Sequence, residues 1–383
     1  MKLALNCWVL RNKQLDGIGN FTIQTLRPLI EAHPEIDFVI LCDKNFTEDY
    51  FNFPNVSKEF VFPALRHPLL YLFYLELIIP SVLKRLKPDL FISMDGFLSL
   101  RSGTAQLPVI YDLNFEHYPQ DLAWKNRIYF RTFFKKFAKK ATRIATISEY
   151  SKQDIIKHYN IDPALIDNVS CGVKSTFSPL SEEEKVFTRS KYTSGSDYFF
   201  FVGSMHPRKN IVRLLTAFNL FKVKSGGNFK LVLAGHILWD DESIKNVLQN
   251  SSYKADIIFT GRVTDEDLKF LLGASCCLTF VPTFEGFGLP IVEAFQAGVP
   301  VICSNTTSMP EVAGDACLLV DPFNVNEITG AMQTISANKQ LRETMIAQGH
   351  NRKSMFTWRN TSALFYKSIE KAIREKATTS NNR

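Results

Sequence analysis

"CCLTFVPTFEGFGLPIVEAFQAGVPVICSN", Cys276 to Asn305, reads as a strand, a loop, a helix and a second strand. "CCLTFVPTF" is apolar along its whole length, as is "VPVICSN". Runs without alternation suit strands buried on both faces, hence a parallel sheet covered by helices. In "LPIVEAFQAG", Pro290 suits the first helical turn and Gly298 the position just past its end. The unit is a βαβ crossover. Glu285 and Glu293, separated by 293 − 285 = 8 positions, stand around a loop otherwise made of glycine, proline and apolar residues.

The same alternation extends in both directions. The first half offers "KLALNCWVL", "DFVILCD", "DLFISM", "LPVIYDL" and "RIATIS"; the second offers "YFFFVGS", "FKLVLAGH", "DIIFTGRV", "CCLTFVP", "VPVICSN" and "ACLLVDP". Helix-length amphipathic segments separate them, which predicts a doubly wound α/β fold. Eleven such runs in 383 residues exceed one sheet and one core, so two Rossmann-like domains follow. Residues 1–172 form the first and 198–357 the second. The polar stretch 173–197, with its Gly, Ser, Pro and Glu run, reads as the linker. "ATTSNNR" at the end reads as a frayed terminus.

Hydrophobic content of 45% and charged content of 22% are those of a globular protein. The net charge of +7 is compatible with anionic ligands or an anionic membrane surface. No nucleic-acid-binding signature accompanies it, and no nucleic-acid partner is expected. Seven scattered cysteines, without C-x-x-C, read as reduced packing thiols and point to the cytoplasm. The start has no signal-peptide pattern. The most apolar segment, Leu69 to Leu83, is interrupted by Glu76 and Pro80 and is shorter than a bilayer span.

The loop "EGFG" feeds a helix N-terminus, where free N–H groups and the positive dipole end attract anions. Glycines let a phosphate approach the backbone. Carboxylates repel phosphate, so Glu285 and Glu293 must meet hydroxyls on either side of it. A diphosphate with a sugar at each end, a nucleotide sugar, fits that pattern. The plainer reading is that both glutamates stabilise the first helical turn; it explains Glu293 better than Glu285. Cations for the phosphates stand in "YFFFVGSMHPRKNIVRLLTAF", where Arg208 and Lys209 follow a strand and precede a helix. A solvated basic turn is the alternative.

"FVGSMHPRKNIVRLLTAF", "GRVTDEDLKFLLGAS", "PTFEGFGLPIVEAFQAGVPVICSN" and "SMPEVAGDACLLVDP" together resemble the retaining glycosyltransferases of family 4, with the GT-B fold. Glu285 to Glu293 is that family's E-x7-E element. "DGIGNFT", "PVIYDLNFEHYP" and "IATISEYSKQDI" look like its N-terminal landmarks. The "GSxxPRKN" variant looks most like bacterial polysaccharide mannosyltransferases.

The resemblance implies two Rossmann-like domains facing a central cleft, with a final helix near 358–376 packing back on the first. The donor would sit mainly on the second domain. Arg208 and Lys209 would neutralise its diphosphate, and Glu285 would bind donor-sugar hydroxyls. Gly286 and the N–H groups of Phe287, Gly288 and Leu289 would meet phosphate or sugar, and Glu293 the ribose. Gly203 and Ser204 belong to the same edge, and the backbone of Arg262 and Val263 would meet the base. Gly17 and Gly19 would approach the diphosphate from the first domain. Transfer would retain anomeric configuration without a protein nucleophile, a cofactor or a metal. The acceptor would be a saccharide or a lipid-linked glycan.

Two positions depart from the family pattern. Tyr111-Asp112 stands where His-Asp is usual, and His117 is the nearby candidate to replace that histidine. Ser204 stands where many members carry Arg. "DED", Asp265 to Asp267, has the form of a metal motif, but after Thr264 it reads as the capped first turn of a helix.

"WKNRIYFRTFFKKFAKKATR", Trp124 to Arg143, carries eight Lys/Arg and no acid. Its apolar residues recur with helical spacing at 130, 133, 134, 137, 138 and 141. The stripe reads as inward-facing and the charges as solvated. A sharper reading docks those charges on the anionic inner face of a membrane. Two other functions share such a fold: a nucleotide-sugar epimerase, and a partner subunit that binds donor without turnover.

Overall fold

A computed structural model describes residues 1–11, 15, 17–42, 50–61, 68–236 and 242–381; side chains at 68–70 and 378–381 lie outside that description. Asp16 of "DGIGNFT" falls outside it as well. The chain divides into two compact units, Met1–Gly172 with Thr357–Arg383, and Val173–Phe356. Each is built on a parallel sheet with helices around it, as the apolar runs predict.

In the first unit, strands β1 (Lys2–Asn6), β2 (Asp37–Cys42), β3 (Val56–Phe60), β4 (Leu90–Ser93) and β5 (Gln106–Pro108) lie in the order β3-β2-β1-β4-β5. All pairs are parallel. β6 (Ile144–Thr146) pairs with β7 (Ile166–Asn168), and a bridge from Val109 to Ala145 continues the sheet towards them. Leu3, Ala4 and Leu5 of β1 are fully buried. β3, "VSKEF", is half exposed at the sheet edge. An edge strand keeps polar residues because an apolar one would recruit other chains.

In the second unit, β8 (Tyr198–Val202), β9 (Lys230–Ala234), β10 (Ile257–Gly261), β11 (Cys277–Phe280), β12 (Val301–Ser304) and β13 (Cys317–Val320) lie in the order β10-β9-β8-β11-β12-β13. Tyr198, Phe199, Phe200 and Phe201 of β8 are fully buried, so the central strand absorbs a large aromatic load. The order reverses between β8 and β11, the crevice where doubly wound sheets hold ligands.

Two expected strands are shorter than their apolar runs. "KLALNCWVL" leaves the sheet at Asn6 and turns through a short 3-10 helix, Trp8–Arg11, placing the Trp8 ring 4.5 Å from that of Tyr74. "LPVIYDL" contributes only its beginning to β5. The stretch read as a linker belongs to the second unit and holds a helix, Glu182–Thr193. Ser181 opens it with a capping box: its hydroxyl accepts from Glu184 N–H at 3.2 Å, and the Glu184 carboxylate accepts from Ser181 N–H at 2.8 Å. The Glu run is therefore a helix's first turn.

The last helix, Trp358–Asn381, packs on the helix Gly17–Ala32 of the first unit. Phe365, Ile369 and Ala372 are fully buried. Asp167 in the middle of β7 accepts from Ser368 at 2.8 Å and Lys371 at 2.7 Å. Arg143 joins Asp167 to Glu375 and is buried. It is therefore no part of the charged face expected for 124–143. In the helix Trp124–Lys140, Phe134, Phe137 and Ala138 face the core, and Lys125, Arg131, Lys135, Lys136, Lys139 and Lys140 are exposed. Glu76, the acid within Leu69–Leu83, caps a loop by accepting from Leu100 and Arg101 N–H at 2.9 and 3.0 Å. Among the described residues, no helix is long and apolar enough to cross a membrane.

Candidate functional site

The loop after β11 enters the helix Leu289–Ala297 through Gly288 at φ 103°. The positive φ favours glycine, and a Cβ there would lie a tight 3.2 Å from Ile291 Cδ1 and 3.4 Å from Met309 Sδ. Ser308 Oγ sits 2.9 Å from the carbonyl oxygens of both Glu285 and Phe287 and shares its proton between them. Glu285 N–H donates to Thr307 Oγ1 at 3.3 Å. The loop is held from below, and its backbone at Gly286, Phe287 and Gly288 is buried.

β8 ends beside it. Gly203 N–H donates to the Ala234 carbonyl at 3.0 Å, and a Cβ on Gly235 would fall 1.9 Å from the Gly203 carbonyl oxygen. Only glycine at 235 permits that backbone approach. Ser204 is half-buried, and its carbonyl accepts from His206 N–H at 2.8 Å. The chain then makes a short 3-10 turn, Pro207–Lys209. Thr283 N–H and Oγ1 donate to the Arg208 carbonyl at 2.8 and 3.2 Å. Asn210 Nδ2 donates to the carbonyls of Val281 and Pro322 at 2.9 and 2.7 Å. These bonds lock the two loops together across the β8–β11 switch point.

Three charges meet there. The Arg208 guanidinium pairs with Glu285 Oε2 and donates to the Phe284 carbonyl at 3.1 Å. Lys209 Nζ lies 2.9 and 3.0 Å from the two Glu285 oxygens and 4.9 Å from the centroid of the Phe280 ring. Side-chain exposure is 22% for Arg208, 8% for Lys209 and 15% for Glu285. Burial alone would push the Glu285 carboxyl up, but Lys209 and Arg208 outweigh it and hold the carboxyl below its ordinary range. The sequence reading gave the cations to phosphate and Glu285 to hydroxyls. The structure joins all three, with one net positive charge.

Glu293 lies inside the helix, apart from that cluster, and is half-buried. Burial pushes its carboxyl up to about 7; Lys174 pulls the other way and Asp265 adds to the rise. Lys174 and Asp265 pair with each other at 2.7 Å. Val263 is half-buried and Arg262 exposed just past β10. Thr264 Oγ1 accepts from Asp267 N–H at 3.0 Å, so the "DED" acids open a capped helix, and Asp267 also accepts from Tyr192 at 2.8 Å.

The remaining sequence-selected residues belong to the first unit. Gly17 opens the helix Gly17–Ala32 and is exposed, with open space where a Cβ would point. Gly19 is buried under the Leu15 side chain. Tyr111 OH donates to the Met94 carbonyl at 2.9 Å, and its ring meets Phe21 edge-on at 5.2 Å. Asp112 Oδ1 accepts from Asn114 N–H at 2.9 Å, at the start of the helix Asn114–His117. His117 Nε2 lies 2.9 Å from both oxygens of Asp154.

Sequence reasoning missed Thr283, Thr307, Ser308, Asn210 and Gly235. They support the loops and do not carry the charges by which the loops were found. The usable signal was position: "NTTSMP" follows β12 at the same sheet edge as "EGFG".

Residues 15–177 match the family model "Glycosyltransferase Family 4" and residues 182–352 the model "Glycosyl transferases group 1". The chain is 35% identical over 221 residues to O-antigen chain mannosyltransferase B of Escherichia coli, covering 57% of this chain and 58% of that protein. It is 28% identical over 259 residues to the serotype-specific mannosyltransferase WbdA of Escherichia coli, covering 65% of this chain and 32% of that one. The matched stretch thus spans less than two thirds of either relative. Among solved structures, sucrose-phosphate synthase from Thermosynechococcus elongatus superposes with a TM-score of 0.76 at 17% identity, covering 96% of this chain and 98% of that one. Anabaena HepE in complex with UDP-glucose gives 0.75 at 16%, covering 97% and 99%. The two models between them take in nearly the whole chain, each on one of two parallel-sheet units, and the chain belongs to the GT-B glycosyltransferases of the family 4 type.

Proposed function

We propose that the protein transfers a hexose, mannose-like, from a nucleotide diphosphate sugar to a saccharide or lipid-linked glycan, with retention of anomeric configuration. The observation that carries this reading is the Arg208–Lys209–Glu285 cluster beside the glycine loop at the β8–β11 switch point. Two cations balanced by one carboxylate leave a positive site. A diphosphate placed there takes up the Arg208 and Lys209 donors and is stabilised as it departs. Glu285 then turns its acceptor oxygens to donor-sugar hydroxyls. The N–H groups of Phe287, Gly288 and Leu289 stand at a helix N-terminus, suited to phosphate. Glu293 serves the ribose and the backbone at Arg262 and Val263 the base. The mannose assignment leans on the mannosyltransferase relatives. No cofactor and no metal takes part in the transfer we propose.

The acceptor reading includes docking on an anionic inner membrane face. The exposed lysines of Trp124–Lys140, with Trp124 and Ile128 exposed at 61% and 56%, support it.

The test is a donor panel of nucleoside diphosphate sugars, assayed for transfer and for donor hydrolysis. One donor series is expected to turn over, in the presence of chelator, with loss of at least 100-fold in Lys209→Ala. A wild-type chain inert across the full panel would refute the reading. Isomerisation of free donor without acceptor would indicate an epimerase, and donor binding with no turnover a partner subunit.

A further inference from the structure

Three side chains of the first unit converge, of which only His117 was singled out from the sequence. Asp154 lies on the helix Glu149–Tyr159 with its side chain 6% exposed. His117, at the end of the helix Asn114–His117, places Nε2 2.9 Å from both carboxylate oxygens. His158, four residues after Asp154 on the same helical face, places Nδ1 3.0 Å from Oδ1 and 3.1 Å from the Asp154 backbone carbonyl oxygen, a contact that ligation through Nδ1 would have to replace. The two rings meet edge to face at 4.9 Å, and one ligand atom from each of the three residues lies within 4.8 Å of the others.

Among the described residues, no Lys or Arg pairs with Asp154; its partners are the two imidazoles. A carboxylate withdrawn from water needs a compensating cation or a metal. Imidazole is not a permanent charge at neutral pH, but its neutral nitrogen is a metal ligand. A tetrahedral ion ~2.0–2.2 Å from each ligand atom separates those atoms by roughly 3.3–3.6 Å. The two His–Asp separations, 2.9 and 3.0 Å, reach that range by widening a few tenths of an ångström. An open surface depression lined by Glu116, Arg131, Thr132, Lys135, His158 and Tyr159 lies on the His158 side.

We propose that His117, Asp154 and His158 bind one divalent transition-metal ion of the Zn²⁺ type. Two nitrogens and one carboxylate favour Zn²⁺, Co²⁺ or Ni²⁺ over Mg²⁺ and Ca²⁺, which prefer oxygen cages. Three protein ligands leave a fourth position for water. The ion would fasten the helix that begins two residues after Asp112 to the helix Glu149–Tyr159. It is a site apart from the sugar transfer proposed above and does not depend on it.

The full chain, carrying no histidine tag, is stripped with chelator, freed of chelator and titrated with Co²⁺ by absorption and with Zn²⁺ by calorimetry. One ion per chain is expected, with ligand-field bands of nitrogen and oxygen ligation. His117→Ala and His158→Ala each weaken it at least tenfold, and a large excess of Mg²⁺ does not displace it. His158→Gln serves where the alanine variant fails to fold, and the melt of each variant in chelator reports folding. Stoichiometry of zero, unchanged affinity in the folded variants, or thiolate-to-cobalt charge transfer pointing to the cysteines overturns the proposal.

Discussion

Arg208 and Glu285 are 77 positions apart in sequence and form an ion pair on the carboxyl edge of one sheet, with Lys209 Nζ bridging both carboxylate oxygens. Removing Lys209 leaves Glu285 with one cation. Lys209→Ala is expected to destabilise the second unit, by less than the ~3–5 kcal/mol of a buried charge left with no partner, because Arg208 remains. Lys209→Ala with Glu285→Ala should recover most of that loss without recovering turnover. Denaturant unfolding of the two single variants and the double measures it. Additive losses would show that the residues do not interact.

Glu285 and Glu293 make opposite contributions to stability as pH changes. The Glu285 carboxyl is held below its ordinary value of 4.5, so its contribution is full above that value and is lost as pH falls through the lower folded value. Glu285→Gln should flatten the acid limb. The Glu293 carboxyl is raised to about 7, so its contribution is full below 4.5 and is lost as pH rises towards 7. Glu293→Gln should remove a decline between those values. Unfolding free energy from pH 3 to 8 checks both signs.

The proposed ribose contact of Glu293 has its own test. An ionised carboxylate accepts from ribose hydroxyls more strongly than the neutral acid, so donor affinity should rise with pH and level off above about 7. The rise should be absent in Glu293→Gln. Parallel curves for the two proteins would assign the rise to the nucleotide instead.

Ser308 carries no charge and is fully buried under the glycine loop. Ser308→Ala leaves two loop carbonyls short of a donor and should cost ~1–3 kcal/mol. Donor affinity should fall with it, although Ser308 is not expected to touch donor. Gly288→Ala should be worse for affinity, since it strains φ 103° and crowds Ile291. Thermal melts with and without nucleotide separate the two effects.

Replacing Lys135, Lys136, Lys139 and Lys140 by Glu should abolish sedimentation with anionic vesicles at low salt and leave the fold intact, because all four are exposed. Wild-type binding should weaken as salt shortens the screening length to ~8–10 Å. A wild-type chain that stays in the supernatant removes the membrane reading.

Fold was legible where burial dominates. Fully apolar runs such as "YFFFVGS" and "CCLTFVP" suit strands buried on both faces, and both became central strands. "VSKEF" was not legible, because an edge strand shows water one face and an edge, and its pattern then resembles a loop. The second-unit charges were legible from residue type and from the loops that carry them. Their mutual pairing was not, since it depends on which loops a sheet brings side by side. Thr283 and Ser308 were hidden for a related reason: a hydroxyl that braces a carbonyl is ordinary in sequence and specific only in space. Arg143 shows the converse, a basic residue counted with a charged face that folding buries against Asp167 and Glu375.

The helix Trp358–Asn381 packs on the helix Gly17–Ala32, so the first unit draws on both ends of the chain, whereas the second is one continuous stretch, Val173–Phe356. During synthesis the second unit can finish folding while the first still lacks a layer of its core. The usual order of maturation, amino-terminal part first, is inverted. A stop codon near residue 357 would therefore injure the opposite end of the molecule from the one it shortens.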